Sequence, residues 1–552
     1  MISLGNLVPI WEHAVGRSGM VVALPEQCLV GNRYEKRADP ARASSRRSVN
    51  VGWDSRRITR IVYRPRRSLS MAERYHNYVD GQWTESETGE TFETTNPAAP
   101  TDVVAEYERS SAADADAAVE AAAAAQDEWA NTPAPDRGAI LRETASILEG
   151  RKQELTTLLT REEGKAHAEA SGEVQRAIDI FYYYAEKTRD LGGTVKSASG
   201  PQTTLYTVRG PVGVAGLITP WNYPIAIPAW KIAPALATGN TLVLKPAEVA
   251  PAVALELFEA LDEAGIPDGV ANVVTGFGAT AGNAVVAHDD VDAVSFTGSG
   301  QVGQLVYDQA TDDAKRVQTE LGGKNPTVVS DSADVETAAE IVAGGAFGTT
   351  GQSCTACSRA VVHTDVYDEF VDAVVAEAEA IEIGPGDEYD MGPQVSEDEL
   401  EGTLDYIEIA ENEGATLETG GGQPEGDRFG DGHFVEPTVF TGVENDYRIA
   451  QEEVFGPVLT VLEVEEFDEA LAVANDVQYG LSASIVTDDH SEAERFVREI
   501  EAGVAKVNEK TSGLELHVPF GGVKNSSSET WREQGDAGID FYTIEKTVYD
   551  SF

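Results

Sequence analysis

Cys354 stands in the run Thr350-Gly351-Gln352-Ser353-Cys354-Thr355-Ala356-Cys357-Ser358-Arg359. A thiol attacks carbon only as its thiolate, and electropositive, sterically open surroundings favour that form. The run supplies small neighbours, a glycine that lets backbone approach closely, and Arg359 as a source of positive charge. Together these predict a covalent nucleophile at Cys354. Cys354 and Cys357 also spell C-x-x-C, which suits a redox pair or half of a metal site. A structural zinc takes about four ligands. The third cysteine, Cys28, is far away in sequence, and no histidine cluster accompanies the pair. No metal is therefore expected. An inert buried thiol is the remaining reading of Cys354.

Five further polar residues fall at the ends of β-rich runs: Asn222, Lys245, Glu248, Ser299 and Glu320. The runs are residues 212–219, 241–245, 270–275, 293–297 and 316–321, and helical periods at 225–237, 251–264, 279–288 and 301–309 alternate with them. Repeated βα units predict a parallel sheet with right-handed crossovers. Such sheets bind ligands at the carboxyl ends of their strands, so these residues mark a dinucleotide site. Gly298-Ser299-Gly300-Gln301-Val302-Gly303 is a literal G-x-G-x-x-G, but it comes late in the sheet. The usual template would give the ribose to Glu320. Glu248, close to Lys245 after the second strand, suits the ribose better.

Around this unit lie elements that must position it. Residues 75–108 read as short strands and turns, and residues 112–129, 137–163 and 169–191 as long helices. Residues 195–208 read as strands standing off the domain, with residues 540–548 as their partner. Exposed strand edges of that kind invite pairing with another subunit. After Gly323 a second α/β unit begins, with a strand at 326–330, a helix from 335 to 347, Cys354, a strand at 359–363 and a helix at 366–381. Residues 414–441 read as a hairpin, and βα pieces continue to residue 507.

The chain has 552 residues, 41% hydrophobic and 24% charged, enough for at least two domains. Its formal net charge is −53, yet residues 1–70 carry 12 Arg and 1 Lys against 5 Asp or Glu, a local +8. The other 482 residues therefore carry −61. Acidic pairs such as Asp289-Asp290, Glu452-Glu453 and Asp488-Asp489 spread this charge along the chain, as in halophilic proteins. Nucleic acid and anionic membranes are disfavoured as partners. No apolar run reaches the roughly 18 residues of a membrane span, and three cysteines suit a reducing, cytoplasmic setting. Residues 1–70 fit a targeting peptide, a basic arm or a start-site artefact with the chain beginning at Met71; the last is the expectation.

Seven spaced motifs then converge. They are Thr219-Pro220-Trp221-Asn222-Tyr223-Pro224, Leu244-Lys245-Pro246-Ala247-Glu248, Phe296-Thr297-Gly298-Ser299, Glu320-Leu321-Gly322-Gly323-Lys324, Gly351-Gln352-Ser353-Cys354, Glu453-Val454-Phe455-Gly456-Pro457 and Pro519-Phe520-Gly521-Gly522. In this order they resemble the aldehyde dehydrogenase superfamily over residues 71–552. The resemblance implies an α/β fold with a Rossmann-type dinucleotide-binding domain (71–192 and 210–322), an α/β catalytic domain (323–525) and a β oligomerisation extension (193–209 and 526–552). It implies Cys354 as the nucleophile, Asn222 as the oxyanion donor and Glu320 as the general base. It implies NAD or NADP held by Thr219, Trp221, Lys245, Glu248, Gly276, Gly298, Ser299, Gly303, Leu321, Glu453 and Phe455.

Thr349-Thr350 before the nucleophile loop and Lys524-Asn525-Ser526-Ser527-Ser528 after Gly522 depart from the common family pattern. Both, with residues 508–518 and 531–535, resemble the branch that oxidises α-ketoglutarate semialdehyde (2,5-dioxopentanoate) in pentose and sugar-acid breakdown. That implies an anionic aldehyde. Arg176 is the expected carboxylate partner, and Tyr223, Ile227, Trp230 and Phe520 the expected tunnel wall. Succinate semialdehyde or a broad aldehyde range is the alternative substrate, and a homodimer or homotetramer the expected assembly.

Overall fold

The computed structural model describes residues 73–386 and 388–551. The expectations for residues 1–70 and for Cys28 lie outside them. The dinucleotide sheet runs in the order Arg316–Glu320, Ala293–Thr297, Val214–Ile218, Thr241–Lys245, Ala271–Val273, all parallel, then Asn77–Val79 and Gln82–Thr84 antiparallel at one edge. Chain order reverses between Val214–Ile218 and Ala293–Thr297, so the crevice at their carboxyl ends is the switch point where such sheets take ligands. The central strands are buried on both faces, as helices on either side of a parallel sheet require.

The second sheet runs Thr416–Thr419, Thr438–Thr441, Val458–Val464, Cys357–His363, Asn325–Val329, Ser482–Val486, Val504–Val507. Its first pair is antiparallel and the rest parallel. The hairpin expected over 414–441 is this first pair, widened by a long loop. A third, three-stranded sheet joins Val195–Ser197, Thr203–Pro211 and Thr543–Ser551. The expected partnership of the two distant segments is therefore present, shifted a few residues C-terminally.

The long helical stretch expected at 137–163 is two helices, Ala134–Gly150 and Lys152–Glu163, broken at Arg151. Gly150, a poor helix former, stands at the end of the first helix and marks the break; Arg151 beside it lies against Glu256, Glu259 and Glu263. Among the described residues no helix is long and apolar enough to cross a membrane.

Candidate active site

Cys354 lies between the helix Val335–Ala346 and the strand Cys357–His363, partly exposed while Ser353, Thr355, Ala356 and Cys357 are buried. The turn that presents it is tight. Thr349 and Thr350 both have φ of 56°, a left-handed conformation that β-branched residues rarely adopt. Thr349 N–H donates to Glu169 Oε1 at 2.6 Å and Thr350 Oγ1 to the Gly392 carbonyl at 3.1 Å, and these bonds hold the turn. Gly351, at φ 67°, passes so close to the Gly456 carbonyl that a built Cβ would sit 2.1 Å from it. Asn325 Nδ2 donates to the carbonyl of Cys354 at 2.8 Å, fixing the far side of the loop.

Asn222 meets this loop directly. Its Nδ2 donates to the Gln352 carbonyl at 2.9 Å, two residues before the thiol, and the side chain is buried. One amide N–H is thus used for orientation and the other remains for a ligand. Glu320 closes the third side at the end of its strand. Its Oε1 accepts from Gln318 Nε2 at 3.0 Å, and its Oε2 is buried without a partner. Burial, with Glu533 nearby, pushes its carboxyl well above the usual range, against the opposing pull of Lys231. A raised carboxyl pKa makes this side chain a stronger proton acceptor once it is ionised.

The expected electropositive setting of Cys354 is overturned. Arg359 is fully buried and turned away, donating to the carbonyls of Lys324, Val473 and Ala474. The groups that act on the thiol are Glu453, Glu320 and Glu533, and burial together with these carboxylates raises its pKa. Sequence proximity suggested otherwise because the partners that claim Arg359, the carbonyls of Lys324, Val473 and Ala474, come from distant parts of the chain. The C-x-x-C pair is not joined as a disulfide. Cys357 is buried, its Sγ lies 3.2 Å from Thr327 Oγ1, and both described cysteines are free thiols.

Most of the residues expected to hold a cofactor lie at the ends of the first sheet's strands. Lys245 Nζ is paired with Glu248 Oε2 at 2.9 Å. Trp221 and Phe455 meet edge to face, ring centroids 5.3 Å apart, and Phe455 itself has φ of 61°. Glu453 Oε1 accepts from Gly323 N at 2.9 Å; burial pushes its carboxyl up to about 7. Thr219 lies at the end of its strand with its hydroxyl buried and unpartnered, as is that of Thr297.

Gly303 lets Leu321 pack against the helix Gly300–Asp312, since a built Cβ would meet Leu321 Cδ2 at 2.2 Å. Gly298 likewise makes room for the Phe296 ring. Gly276 has a nearer explanation than a ligand: at φ 124° it abuts the Ser110 backbone. Ser299 caps its helix, its Oγ accepting from Val302 N–H. Orphaned hydroxyls at the switch point, a pair at the second strand end and an aromatic pair over the cleft fit a dinucleotide. A cavity of about 500 Å³ lies beside them, lined by Gly300, Gly303, Leu321, Tyr479 and Ser527 among others.

The residues expected to meet the substrate divide. Trp230 is half-buried, its ring 6.2 Å from that of Phe520. Tyr223 OH lies 3.4 Å from Thr349 Oγ1. Arg176 is half-buried and donates to Gln534 Oε1 at 3.3 Å. Ile227 is 1% exposed, on the helix Ala226–Thr238 that is enclosed on nearly all sides.

Sequence reasoning missed the groups behind Glu320. Ser295 Oγ donates to Gln318 Oε1 at 2.6 Å, Lys231 Nζ donates to Ser295 Oγ at 2.7 Å, and Lys231 pairs with Glu533. The signal was present: Lys231 is the single charge in an otherwise apolar helix. Exposed Val302 and Leu305, three residues apart on the helix after the glycine-rich turn, were missed too.

The aldehyde dehydrogenase family model matches residues 83–548, and the chain belongs to that family. It is 69% identical over 482 residues to an α-ketoglutarate semialdehyde dehydrogenase of Haloferax volcanii, covering 87% of this chain and all of that protein. It is 44% identical over 467 residues to a 2,5-dioxopentanoate dehydrogenase of Saccharolobus solfataricus, covering 84% and 97%. Among solved structures it resembles a betaine aldehyde dehydrogenase of Staphylococcus aureus in complex with NAD+, with TM-score 0.84, 35% identity, and 86% and 94% of the two chains covered.

Proposed function

We propose that this chain oxidises 2,5-dioxopentanoate to 2-oxoglutarate with a nicotinamide dinucleotide, in the breakdown of pentoses or sugar acids. The observation that carries the reading is the crevice in which a partly exposed thiol, a pre-oriented amide and a buried carboxyl converge. Relatives of that printed activity support the substrate.

Cys354 Sγ attacks the aldehyde carbon, and its proton leaves to a carboxylate of the site. Negative charge grows on the carbonyl oxygen, where the free N–H of Asn222 and the backbone N–H of Cys354 donate to it. Such donors commonly contribute about 10²–10³ in kcat. Lys245 and Glu248 would hold the adenine ribose, Glu453 the other ribose, and Trp221 and Phe455 the ring end. A bound nicotinamide coenzyme would supply the hydride acceptor, and loss of hydride from the Cys354 adduct would leave a thioester. Glu320 then takes a proton from the water that attacks the thioester, and Lys231 with Glu533 gives that proton a buried exit. Glu248 repels a 2′-phosphate, so NAD is favoured; NADP requires that carboxylate to turn aside. Arg176 receives the substrate carboxylate. The exposed edges of the third sheet, with Val195 76% and Tyr549 75% exposed, suit a homo-oligomer, and two free thiols suit the cytoplasm.

The test is steady-state kinetics at high salt with 2,5-dioxopentanoate, succinate semialdehyde and a neutral aldehyde, against both coenzymes. The reading expects the highest kcat/KM for 2,5-dioxopentanoate, and Arg176→Ala to raise KM for it but not for the neutral aldehyde. Equal kcat/KM across the panel would contradict the substrate.

A further inference from the structure

The helix Lys152–Glu163 ends at Gly164 with φ of 92°, and Lys165 follows in the short link to the helix His167–Lys187. Its side chain is buried, yet it touches three functional neighbours. Nζ donates to the main-chain carbonyl of Asn222 at 2.7 Å and to Glu173 Oε2 at 2.5 Å, and stands 4.3 Å from the centre of the Tyr223 ring. Glu173 completes a clamp. Its Oε1 accepts from the N–H of Ile225 at 3.0 Å and of Ala226 at 3.2 Å, at the start of the helix Ala226–Thr238. One ion pair therefore grips the segment 222–226 at both ends. One turn earlier on the same helix, Glu169 holds the nucleophile loop through Thr349 N–H.

A buried ion pair is seldom the most stabilising way to fill its volume, since apolar side chains of equal size do as well or better. Its use here is directional. The ammonium is bonded to the carbonyl of the one residue whose side chain faces the nascent oxyanion. Glu163 lies 3.8 Å from the same Nζ against 2.5 Å for Glu173, so Glu173 is the closer partner that anchors Lys165.

We propose that Lys165, anchored by Glu173, is a positioning residue for the oxyanion donor: it sets the main chain of Asn222 and through it the aim of the amide. This deepens the reading of Asn222 given above and rests on it. Displacing the donor by about 1 Å costs on the order of 10²-fold in rate.

The experiment is a double-mutant cycle on kcat, Lys165→Met against Asn222→Ala, with NAD affinity and thermal melting recorded for each variant. Lys165→Met is expected to lower kcat on the order of 10²-fold at unchanged NAD affinity. In the Asn222→Ala background it is expected to cost under about 3-fold, since coupled residues are not additive. Losses that multiply, or a folded Lys165→Met chain with wild-type kcat, would overturn the proposal. A wild-type chain inactive on every aldehyde would instead overturn the underlying site. Should Lys165→Met fail to fold, Glu173→Gln carries the same cycle: it keeps an oxygen for the N–H groups of Ile225 and Ala226 while removing the anchoring charge. The same coupling is then expected, and multiplying losses again overturn the proposal.

Discussion

Glu453, proposed above for the second ribose, would link pH to coenzyme binding. Its carboxyl is pushed up to about 7 because burial outweighs the bond from Gly323 N–H and the attraction of Lys324. Only the ionised form accepts strongly from ribose hydroxyls. The ligand-free carboxyl is therefore largely protonated below about 7 and ionised above it, and binding favours the ionised form. KM for the coenzyme is expected to fall as pH rises from about 6 to about 8, and Glu453→Gln to flatten that dependence. An unchanged KM across this range would remove Glu453 from the ribose site.

At the scale of elements, the nucleophile loop depends on one close passage. Gly351 has a left-handed φ and no room for a Cβ against the Gly456 carbonyl. Gly351→Ala must strain its own backbone, by about 1–3 kcal/mol, or push away the segment bearing Phe455. A lower melting temperature and a weaker coenzyme KM are expected together; a change in neither would show that the loops are not coupled.

This element was legible from sequence because its residue types are demanded by geometry. The alternation of βα units in 212–321 was legible because buried parallel strands read as short apolar runs. What stayed hidden was tertiary. Arg359 is five residues from Cys354 in sequence but is bonded to the carbonyls of Lys324, Val473 and Ala474. Lys231 and Glu533 are about 300 residues apart and meet only once the helix Ala226–Thr238 packs beneath the C-terminal segment. Ile227 has tunnel spacing, yet packing on both sides of its helix encloses it.

For the whole molecule, charge decides the working conditions. A net charge of −53 repels itself in the compact state. Raising salt from about 0.1 M to about 1 M shortens the screening length from about 10 Å to about 3 Å. The melting temperature is expected to rise steeply over that range, and a chain equally stable at both concentrations would contradict this. The buried groups of the active site are screened far less, so kcat of the folded enzyme should respond more weakly to salt than stability does.

The central claim is that the substrate carbon becomes bonded to Cys354 and is released with the help of Glu320. Mixing the Glu320→Gln enzyme with 2,5-dioxopentanoate and NAD, quenching in acid and mapping the modified peptide by mass spectrometry tests it most directly. An acyl group on Cys354, formed with one burst of NADH and then little turnover, is predicted. NADH released at the wild-type steady rate, or a product formed with Cys354 unmodified, would contradict it.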